Sequence, residues 1–470
     1  MTHPDQTLAV SEQRTPSVRW VLASLSLSML LSSLGTSIAN VGLPALAQVF
    51  GASFQAVQWI VLAYLLAITT LIVSVGRLGD LIGRRRLLLT GIALFTLASA
   101  LCGLAPSLWL LIGARAVQGL GAAIMMALTM AFIGEVVPKA RTGSAMGLLG
   151  TMSAMGTALG PSLGGVLIAG LGWQAMFLVN VPLGILTFSL AWLYLPADRR
   201  GQKRGGFDPV GTLVLALTLA AYALAMTLGR GSFGVLNVAL LFVAFVGVGL
   251  FVFVESTVDS PLIRVAMFRD ASLSGSLATN VFVSTVMMAT LVVGPFYLSR
   301  GLGLNLAVVG VVMSISPIIS ALSGIPAGRV VDRFGAPVMV IIGLIAMATG
   351  SIALSVLPAL FGLAGYVAAI VILTPGYQLF QAANNTVVMQ DVPAEQRGVM
   401  SGLLSLSRNL GLITGASVIG ALFAFASAAT DLTTAAPEAV ASGMCITFSV
   451  AAALIGAALV IALASRGRRA

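Results

Sequence analysis

The octapeptide GRLGDLIG (residues 76–83) recurs later in the chain as GRVVDRFG (residues 328–335), with the outer glycines, the arginine and the aspartate in register. A second pattern, VP-x4-G-x3-GLL, begins at Val137 and again at Val392. The glycines continue in step 255 positions apart, as Gly156 with Gly411 and Gly160 with Gly415. The chain therefore contains two copies of one unit in the same orientation, separated by an insert.

The composition assigns this repeat to a membrane. Of the 470 residues, 59% are hydrophobic and 8% are charged, and the mean hydropathy is +1.07. A soluble domain carries about 25% charged residues, so lipid is the solvent that tolerates this surface. The net charge of +10 is spread in short bursts between apolar stretches, which excludes a nucleic-acid groove. The two cysteines, Cys102 and Cys445, lie far apart in apolar stretches and His3 lies in a polar tail, so no metal or disulfide is predicted.

Fourteen apolar stretches are long enough to cross a bilayer, which takes about 20 residues. They are predicted near 20–45, 55–76, 86–105, 108–134, 143–170, 174–195, 209–229, 234–255, 272–298, 306–328, 336–356, 360–389, 398–426 and 441–464. The predicted fold is all-α and polytopic, with two six-helix bundles and two inserted transmembrane helices; the count becomes twelve if one helical hairpin is interfacial. The segments are a tail (1–18), the first bundle (19–196), a linker (197–207), the inserted pair (208–256), a linker (257–271), the second bundle (272–465) and a tail (466–470).

Lysine and arginine predict the orientation. Twenty of them flank the first span or fall in alternate loops, whereas the opposite loops hold only Arg230 and Arg300. The positive-inside rule then places both termini in the cytoplasm, with the chain crossing the cytoplasmic (inner) membrane several times. The lipid bilayer is therefore one predicted partner, and we expect a monomer.

Five motifs carry a resemblance that covers residues 20–465. They are GRLGDLIGRRR (76–86), LIGARAVQGLGAA (111–123), GTALGPSLGG (156–165), GWQAMFLVNVPLG (172–184) and SLSRNLG (405–411). Together they resemble the major facilitator superfamily, and within it the fourteen-helix drug:proton antiporters that act as multidrug efflux transporters. The resemblance implies secondary active export of small molecules with protons as the second partner.

One position departs from that family. Its first helix usually carries an acid after a leucine, but here Leu34 is followed by Gly35. None of the 14 acidic residues falls in the middle of a predicted span, whereas Arg115 and Arg408 do. Buried charges in lipid are costly and mark functional sites. The substrate path is therefore predicted to be positive or neutral, which favours neutral, zwitterionic or anionic substrates, unless the arginines only bond to helix carbonyls.

Polar residues in the spans are the candidate substrate contacts. Tyr377, Gln381 and Asn384 share one face of the twelfth span, with Asn385 beside them. This face lines the path or bonds to neighbouring helices. The candidate substrate-binding residues are Arg115, Gln118, Asn40, Thr36, Tyr377, Gln381, Asn384, Asn385 and Arg408.

Three further groups have structural alternatives. The repeated loops predict a conformational latch, in which Asp80 pairs with Arg84 and Arg85; otherwise the basic loops only anchor the topology. The latch set is Gly76, Asp80, Gly83, Arg84, Arg85, Asp332 and Arg333. A close packing of the fifth span on a partner is predicted for Gly156, Gly160, Pro161, Gly164 and Gly165. Glu135, at the end of a span, is the candidate for proton coupling, or is a solvated interfacial carboxylate.

The alternatives to a transporter lack the residues they need. No G-x4-GK-[ST] loop occurs, so ATP is not expected to supply the energy directly. No catalytic or metal-binding constellation is present, which excludes an enzyme and predicts no cofactor. Short loops argue against a receptor. An exporter of drug-like molecules or metabolites is predicted, and the alternative is a facilitated or proton-coupled carrier of a neutral or anionic metabolite without multidrug activity.

Overall fold

The computed structural model describes residues 18–52, 54–198, 208–227, 234–258, 261, 263–304, 306–390, 392–393, 396–427 and 436–467. These residues are almost entirely helical, which confirms the predicted all-α polytopic fold. The helices are α1 (Val18–Val49), α2 (Phe54–Ile82), α3 (Arg84–Gly103), α4 (Leu108–Val136), α5 (Thr142–Leu171), α6 (Ala175–Leu178), α7 (Asn180–Tyr194), α8 (Pro209–Thr227), α9 (Val235–Thr257), α10 (Ala271–Phe296), α11 (Leu306–Met313), α12 (Ile315–Phe334), α13 (Ala336–Met389), α14 (Arg397–Ala426) and α15 (Pro437–Gly467).

The number of membrane crossings depends on two of these helices. Within the described residues, 12 helical segments are long and apolar enough to span a bilayer. One of them, α13, has 54 residues and consists of two arms. Another helix, α5, has 30 residues and is not among those twelve. Counting α5 and both arms of α13 gives the predicted fourteen, which stays a prediction.

The two arms of α13 meet at Gly362. Its φ of +55° lies in the left-handed region that glycine adopts without a steric penalty. Beyond this point the chain runs back along itself, since Gly343 lies against Phe380 and Gly350 lies against Leu373. The two arms are therefore an antiparallel helical hairpin.

Helices α1–α7 form the first half and α10–α15 form the second, and their contacts repeat. In the first half α5 packs on α1, and in the second half α14 packs on α10. The Ser37 hydroxyl donates to the Gly156 carbonyl at 3.1 Å, and the Thr285 hydroxyl donates to the Gly411 carbonyl at the same distance. Because Gly156 and Gly411 are equivalent positions of the sequence repeat, the same packing motif occurs in both halves.

The two halves touch through α2 with α14 and through α5 with α12. The contacts concentrate at the end where α1 begins and α15 ends, called here the basic end because it carries Arg84, Arg329 and Arg397. Three pairs of glycines face each other across the halves there, so close that a methyl group on any of them would collide with the opposite backbone or side chain. These pairs are Gly76 with Gly398, Gly143 with Gly328, and Gly147 with Gly324. Small residues allow this backbone approach in membrane helices, and the result is a closed basic end.

The inserted pair α8–α9 is asymmetric. Helix α9 packs mainly on α8 and exposes large apolar side chains, including Phe242, Phe245 and Phe253. Helix α8 contacts both α2 of the first half and α14 of the second, and the hydroxyls of Tyr222 and Thr414 are in hydrogen-bond contact. Helix α8 therefore lies across the seam between the halves.

Candidate functional site: the polar seam between the halves

The first carboxylate at the basic end is Asp80, near the end of α2. Both of its oxygens accept the backbone N–H of Gly398 at 3.1 Å, in the first turn of α14. The first N–H groups of a helix have no partner within the helix and carry a partial positive charge. Arg84, one turn along from Asp80, pairs with the same carboxylate at 2.9 Å. Asp80, on a helix of the first half, thus binds the first turn of a helix of the second half.

The second carboxylate is Asp332, near the end of α12. It accepts the backbone N–H groups of Gly143 at 2.8 Å and Ser144 at 2.9 Å, together with the Ser144 hydroxyl. Gly143 lies in the first turn of α5 and is the repeat equivalent of Gly398. The two carboxylate contacts are therefore equivalent in the repeat, and each crosses from one half to the other; they are called here the mirrored contacts.

Arginine partners differ from the prediction at two positions. Arg84 joins Asp80 to Glu135, whose oxygen lies 2.9 Å from the Arg84 guanidinium. Arg85, which was predicted to pair with Asp80, instead donates to the Trp192 carbonyl at 2.6 Å and stacks on the Trp192 ring. The prediction for Arg85 is wrong because the helix breaks at Gly83, so Arg85 lies in the first turn of α3 and its side chain contacts Trp192 instead of Asp80.

Arg333 likewise turns away from its neighbouring carboxylate. It is exposed and its guanidinium lies over the Phe334 ring at 5.4 Å. The oxygens of Asp332 bond to helix N–H groups instead of to a cation. The predicted pairing of Asp332 with Arg333 is therefore replaced by a contact with the α5 N-terminus.

The electrostatics of Asp80 reflect its burial. It lies beyond the apolar stretch Trp59–Gly76, and its side chain is 2% exposed. Burial raises the pKa of the Asp80 carboxyl above its ordinary value, while Arg84 and the Gly398 N–H act in the opposite direction. This carboxylate therefore holds a proton more readily in the closed arrangement than it would in water.

Halfway along the seam, one cation reaches from the second half to the first. Arg408 on α14 donates to the Ser153 hydroxyl on α5 at 3.1 Å, and that hydroxyl lies 2.8 Å from the Ser33 hydroxyl on α1. Arg408 lies 11 residues into α14, which corresponds to a depth of about 16 Å at about 1.5 Å per residue. The predicted substrate residue Arg408 thus faces the opposite half.

The polar residues of the twelfth span divide between two environments. The Gln378 side chain faces Gly150 on α5 of the first half. Asn384, two turns along, donates to the Ser276 carbonyl at 3.3 Å and lines a cavity of about 300 Å³ inside the second half. Gln381 donates to the Tyr377 hydroxyl at 3.2 Å within its own helix. The predicted stripe therefore does not line one common path.

Arg115 is enclosed in the first half. Its side chain is fully buried and donates to the carbonyls of Ile60 and Gly35, both at 3.0 Å, and to the Gln118 amide oxygen at 2.6 Å. Its guanidinium also lies 4.1 Å from the centre of the Tyr64 ring. All of these partners belong to the same half, and this geometry favours the structural alternative for Arg115 and Gln118 over a substrate contact.

The glycines predicted for close packing are only partly used. A methyl group at Gly156 or Gly160 would collide with α1, and Gly164 is buried. At Gly165, in contrast, a methyl group would meet no atom within 4 Å, so the packing prediction is wrong there. That position lies past the part of α5 that faces α1.

The remaining predicted residues add little to the seam. Thr36 is half-buried on α1 and donates to the Ser32 carbonyl at 3.1 Å, and Asn385 is buried. Gly83 has a φ of +107°, which joins α2 to α3 and brings the Asp198 carboxylate onto the first N–H groups of α3. The side chains of Asn40 and Pro161 lie outside the described residues.

The sequence analysis missed Ser153 and Ser33. A signal was available, because the offset of 255 that joins Gly156 to Gly411 also joins Ser153 to Arg408. Residues at equivalent positions of two repeats can touch only near the axis that relates them. The offset therefore places any Arg408–Ser153 contact at the centre of the molecule.

Two helical halves that share one internal architecture and meet along a polar seam define a polytopic membrane transporter. Residues 25–416 match the sequence profile of the Major Facilitator Superfamily, and the chain belongs to that family. The members of this family are transporters, which confirms the prediction that the chain is not an enzyme.

The similar proteins include exporters and a vitamin carrier. The chain is 32% identical to the multidrug resistance protein Stp of Mycobacterium tuberculosis over 86% of this chain and 75% of Stp. It is 29% identical to the riboflavin transporter RibZ of Clostridioides difficile over 86% of this chain and 88% of RibZ. Among solved structures, the human organic anion transporter MFSD10 superposes with a TM-score of 0.66 at 15% identity, over 95% of this chain and 100% of that one. This last likeness shows the fold alone.

Proposed function

We propose that this chain exports drug-like small molecules or metabolites across the cytoplasmic membrane by alternating access, in exchange for protons, with both termini in the cytoplasm. The observation that carries the proposal is the pair of mirrored carboxylate contacts, Asp80 with Gly398 and Asp332 with Gly143, at the basic end. They join opposite halves, and each can be broken without unfolding either half. With the termini in the cytoplasm, as proposed, the closed basic end would correspond to a state closed on the cytoplasmic side.

Alternating access needs two packings of the same halves with similar free energy. The glycine contacts of the basic end are suited to this, because they are flat and small and need no interlocking side chains to separate. Substrate would cross along the seam, past Gln378 and Arg408. Export is supported by the relatives, several of which are named multidrug resistance or efflux proteins.

Proton coupling is proposed for the cluster of Asp80, Arg84 and Glu135. Arg84 touches both carboxylates, so a proton on either one changes the charge around the contact with α14. Glu135 retains 27% of its side-chain exposure and gives the cluster access to water. Because closure buries Asp80 and raises its pKa, opening and proton release are linked.

The second candidate is a carrier of one neutral or anionic metabolite without multidrug activity. Likeness to a riboflavin transporter over most of both chains favours it. No carboxylate occurs in the middle of a predicted span, where cationic drugs would need one.

Transport into inverted vesicles separates the two candidates. Vesicles that contain the purified chain would be given an acidic lumen and a panel of cationic, neutral and anionic dyes, with riboflavin alongside. We expect several dyes to accumulate in the lumen, and this accumulation to disappear when a proton ionophore collapses the gradient. Glu135→Gln should reduce gradient-driven accumulation while leaving dye exchange at equal pH.

Two outcomes would contradict the proposal. Equilibration of all substrates without accumulation would exclude proton exchange. Movement of riboflavin alone, with every dye excluded, would replace the exporter by the metabolite carrier.

A further inference from the structure

We propose that the substrate carries an anionic group, such as a carboxylate, which binds to Arg408 on the internal axis of the molecule. This inference rests on the proposed function, because it assigns a substrate class to the same seam. Arg408, Ser153 and Ser33 form the anchoring group, and the remainder of the substrate is recognised elsewhere along the seam.

The location follows from the repeat. Arg408 and Ser153 occupy equivalent positions of the two halves, and their side chains are 3.1 Å apart. Two equivalent positions whose side chains touch lie on either side of the axis that relates the halves, within about one arginine side-chain length of it. In transporters built from parallel repeats that axis follows the membrane normal, and substrate sites lie near the midplane between the repeats. Arg408 is therefore central in the plane and deep in the membrane.

The cation at this point lacks the partners that a buried charge requires. A guanidinium has five N–H donors and is charged at all physiological pH values. The Nε of Arg408 is buried and has no hydrogen-bond partner within the described residues, and no carboxylate there lies within ion-pair distance of it. A ligand that supplies acceptor oxygens would provide both the missing hydrogen bond and the missing negative charge.

Arg115 is the internal comparison. It is fully buried, whereas Arg408 is half-buried, and carbonyls and an amide oxygen satisfy all three of its nitrogens. Buried arginines in this chain can therefore be neutralised by helix backbone where the fold requires only structure. Arg408 has one hydroxyl in that role, and that hydroxyl bonds to a second one from α1.

The chemistry of the group selects its ligand. A planar guanidinium binds carboxylate and similar oxyanions through two parallel hydrogen bonds. One of the Ser153 and Ser33 hydroxyls donates to the other, so the second hydroxyl can donate its hydrogen to an approaching anion. A permanent cation would meet like charge at Arg408, so it is disfavoured at this site.

A matched pair of dyes tests the charge preference directly. Tetramethylrhodamine carries a free carboxylate, and tetramethylrhodamine methyl ester has the same body with that charge removed. Binding of each dye to the full chain in lipid nanodiscs would be measured by fluorescence anisotropy. We expect the wild type to bind the free acid at least about tenfold more tightly, which corresponds to about 1.4 kcal/mol.

Variants locate the preference. Arg408→Gln should lower the acid preference to below about twofold while still binding the ester, which shows that the protein is folded. Arg408→Lys should retain part of the preference, because it keeps the charge but loses the planar fork. Arg300→Gln removes an exposed arginine from the opposite end and should change neither affinity.

The results separate this inference from the proposed function. Equal affinities for the two dyes in the wild type, failure of the wild type to bind the acid, or an acid preference that survives in Arg408→Gln would each overturn the inference. Preference for the acid without gradient-driven transport would leave the anion site intact and refute the exporter. Gradient-driven transport of both dyes at equal rates would support the exporter and refute the anion site.

Discussion

Replacing Gly143 by alanine should open the basic end. A methyl group at this position would lie 2.6 Å from the Asp332 Oδ1 atom and 2.7 Å from the Gly328 carbonyl oxygen. Ordinary contacts begin at 3.4 Å, so the α12 backbone must retreat by about 0.7 Å, the difference between 2.7 Å and 3.4 Å. The substitution therefore forces α5 and α12 apart at the point where the two halves meet.

The separation of α5 and α12 also breaks hydrogen bonds between them. A retreat of about 0.7 Å extends the contacts of Asp332 with the N–H groups of Gly143 and Ser144, now 2.8 Å and 2.9 Å, beyond the usual hydrogen-bond range. Hydrogen bonds to a charged group contribute about 1.5–3 kcal/mol each when buried. Because Asp332 is half-buried, we take about 2 kcal/mol for the pair, which shifts the equilibrium between closed and open states about 30-fold.

Distance measurements between spin labels would detect this shift. Labels at Arg86 and Val338, both exposed at the basic end, report the separation of the two halves once Cys102 and Cys445 have been replaced. The wild type should give mainly the short distance of the closed state. Gly143→Ala should give mainly a longer one.

Gly165→Ala is the matched control. It makes the same substitution in the same helix at a position where a methyl group meets no atom within 4 Å, so the gain in helix propensity of about 1 kcal/mol is common to both variants. If Gly143→Ala gives the same distance distribution as Gly165→Ala, the glycine contact does not hold the basic end closed, and the reasoning from the mirrored contacts is refuted.

Three further predictions concern the charged groups. Asp80→Ala and Asp332→Ala, which remove the acceptor oxygens altogether, should each increase the open population in the same distance measurement, and the double variant should exceed either one; an effect in only one of the two would contradict the mirror relation. Between the ordinary pKa of aspartate, about 3.9, and the raised pKa of Asp80, this residue binds more protons in the closed state than in the open one. Lowering the pH through this window should therefore favour closure, and Asp80→Asn should remove the pH dependence. A closed population of the wild type that does not change with pH would contradict this prediction. Arg115→Lys should lower the free energy of unfolding by about 2 kcal/mol, because an ammonium cannot reach acceptors on three helices at once; unchanged thermal stability would show that those bonds are not structural.

The sequence predicted the repeat and the pairing of Asp80 with Arg84, because both depend on local patterns, whereas the latch role stays a prediction. The repeated Gly, Arg and Asp positions fixed where the halves correspond, and Arg84, four residues after Asp80, forms the predicted ion pair. The break at Gly83, which turns Arg85 away from Asp80, could not be read from the spacing. Composition and the distribution of basic residues were enough for the fold class.

The interior of the seam could not be derived in this way. Which face of α13 turns toward the other half depends on how whole helices rotate, so Gln378 reaches α5 while Asn384 turns into its own half. Arg115 and Arg408 look alike in sequence, each an arginine inside an apolar span. Only the tertiary structure shows that carbonyls of two neighbouring helices bind Arg115, whereas Arg408 has one hydroxyl as its partner.

The position of α8 gives the molecule a front and a back. Helix α8 covers the line where α2 meets α14, and within the described residues no inserted helix packs on the line where α5 meets α12. A compound dissolved in the bilayer would thus meet an additional helix, α8, on the flank of α2 and α14, and no inserted helix among the described residues on the flank of α5 and α12. Lipid-borne entry to the seam, if the protein uses it, is confined to the flank of α5 and α12, and crosslinkable lipids should label that flank and spare the other.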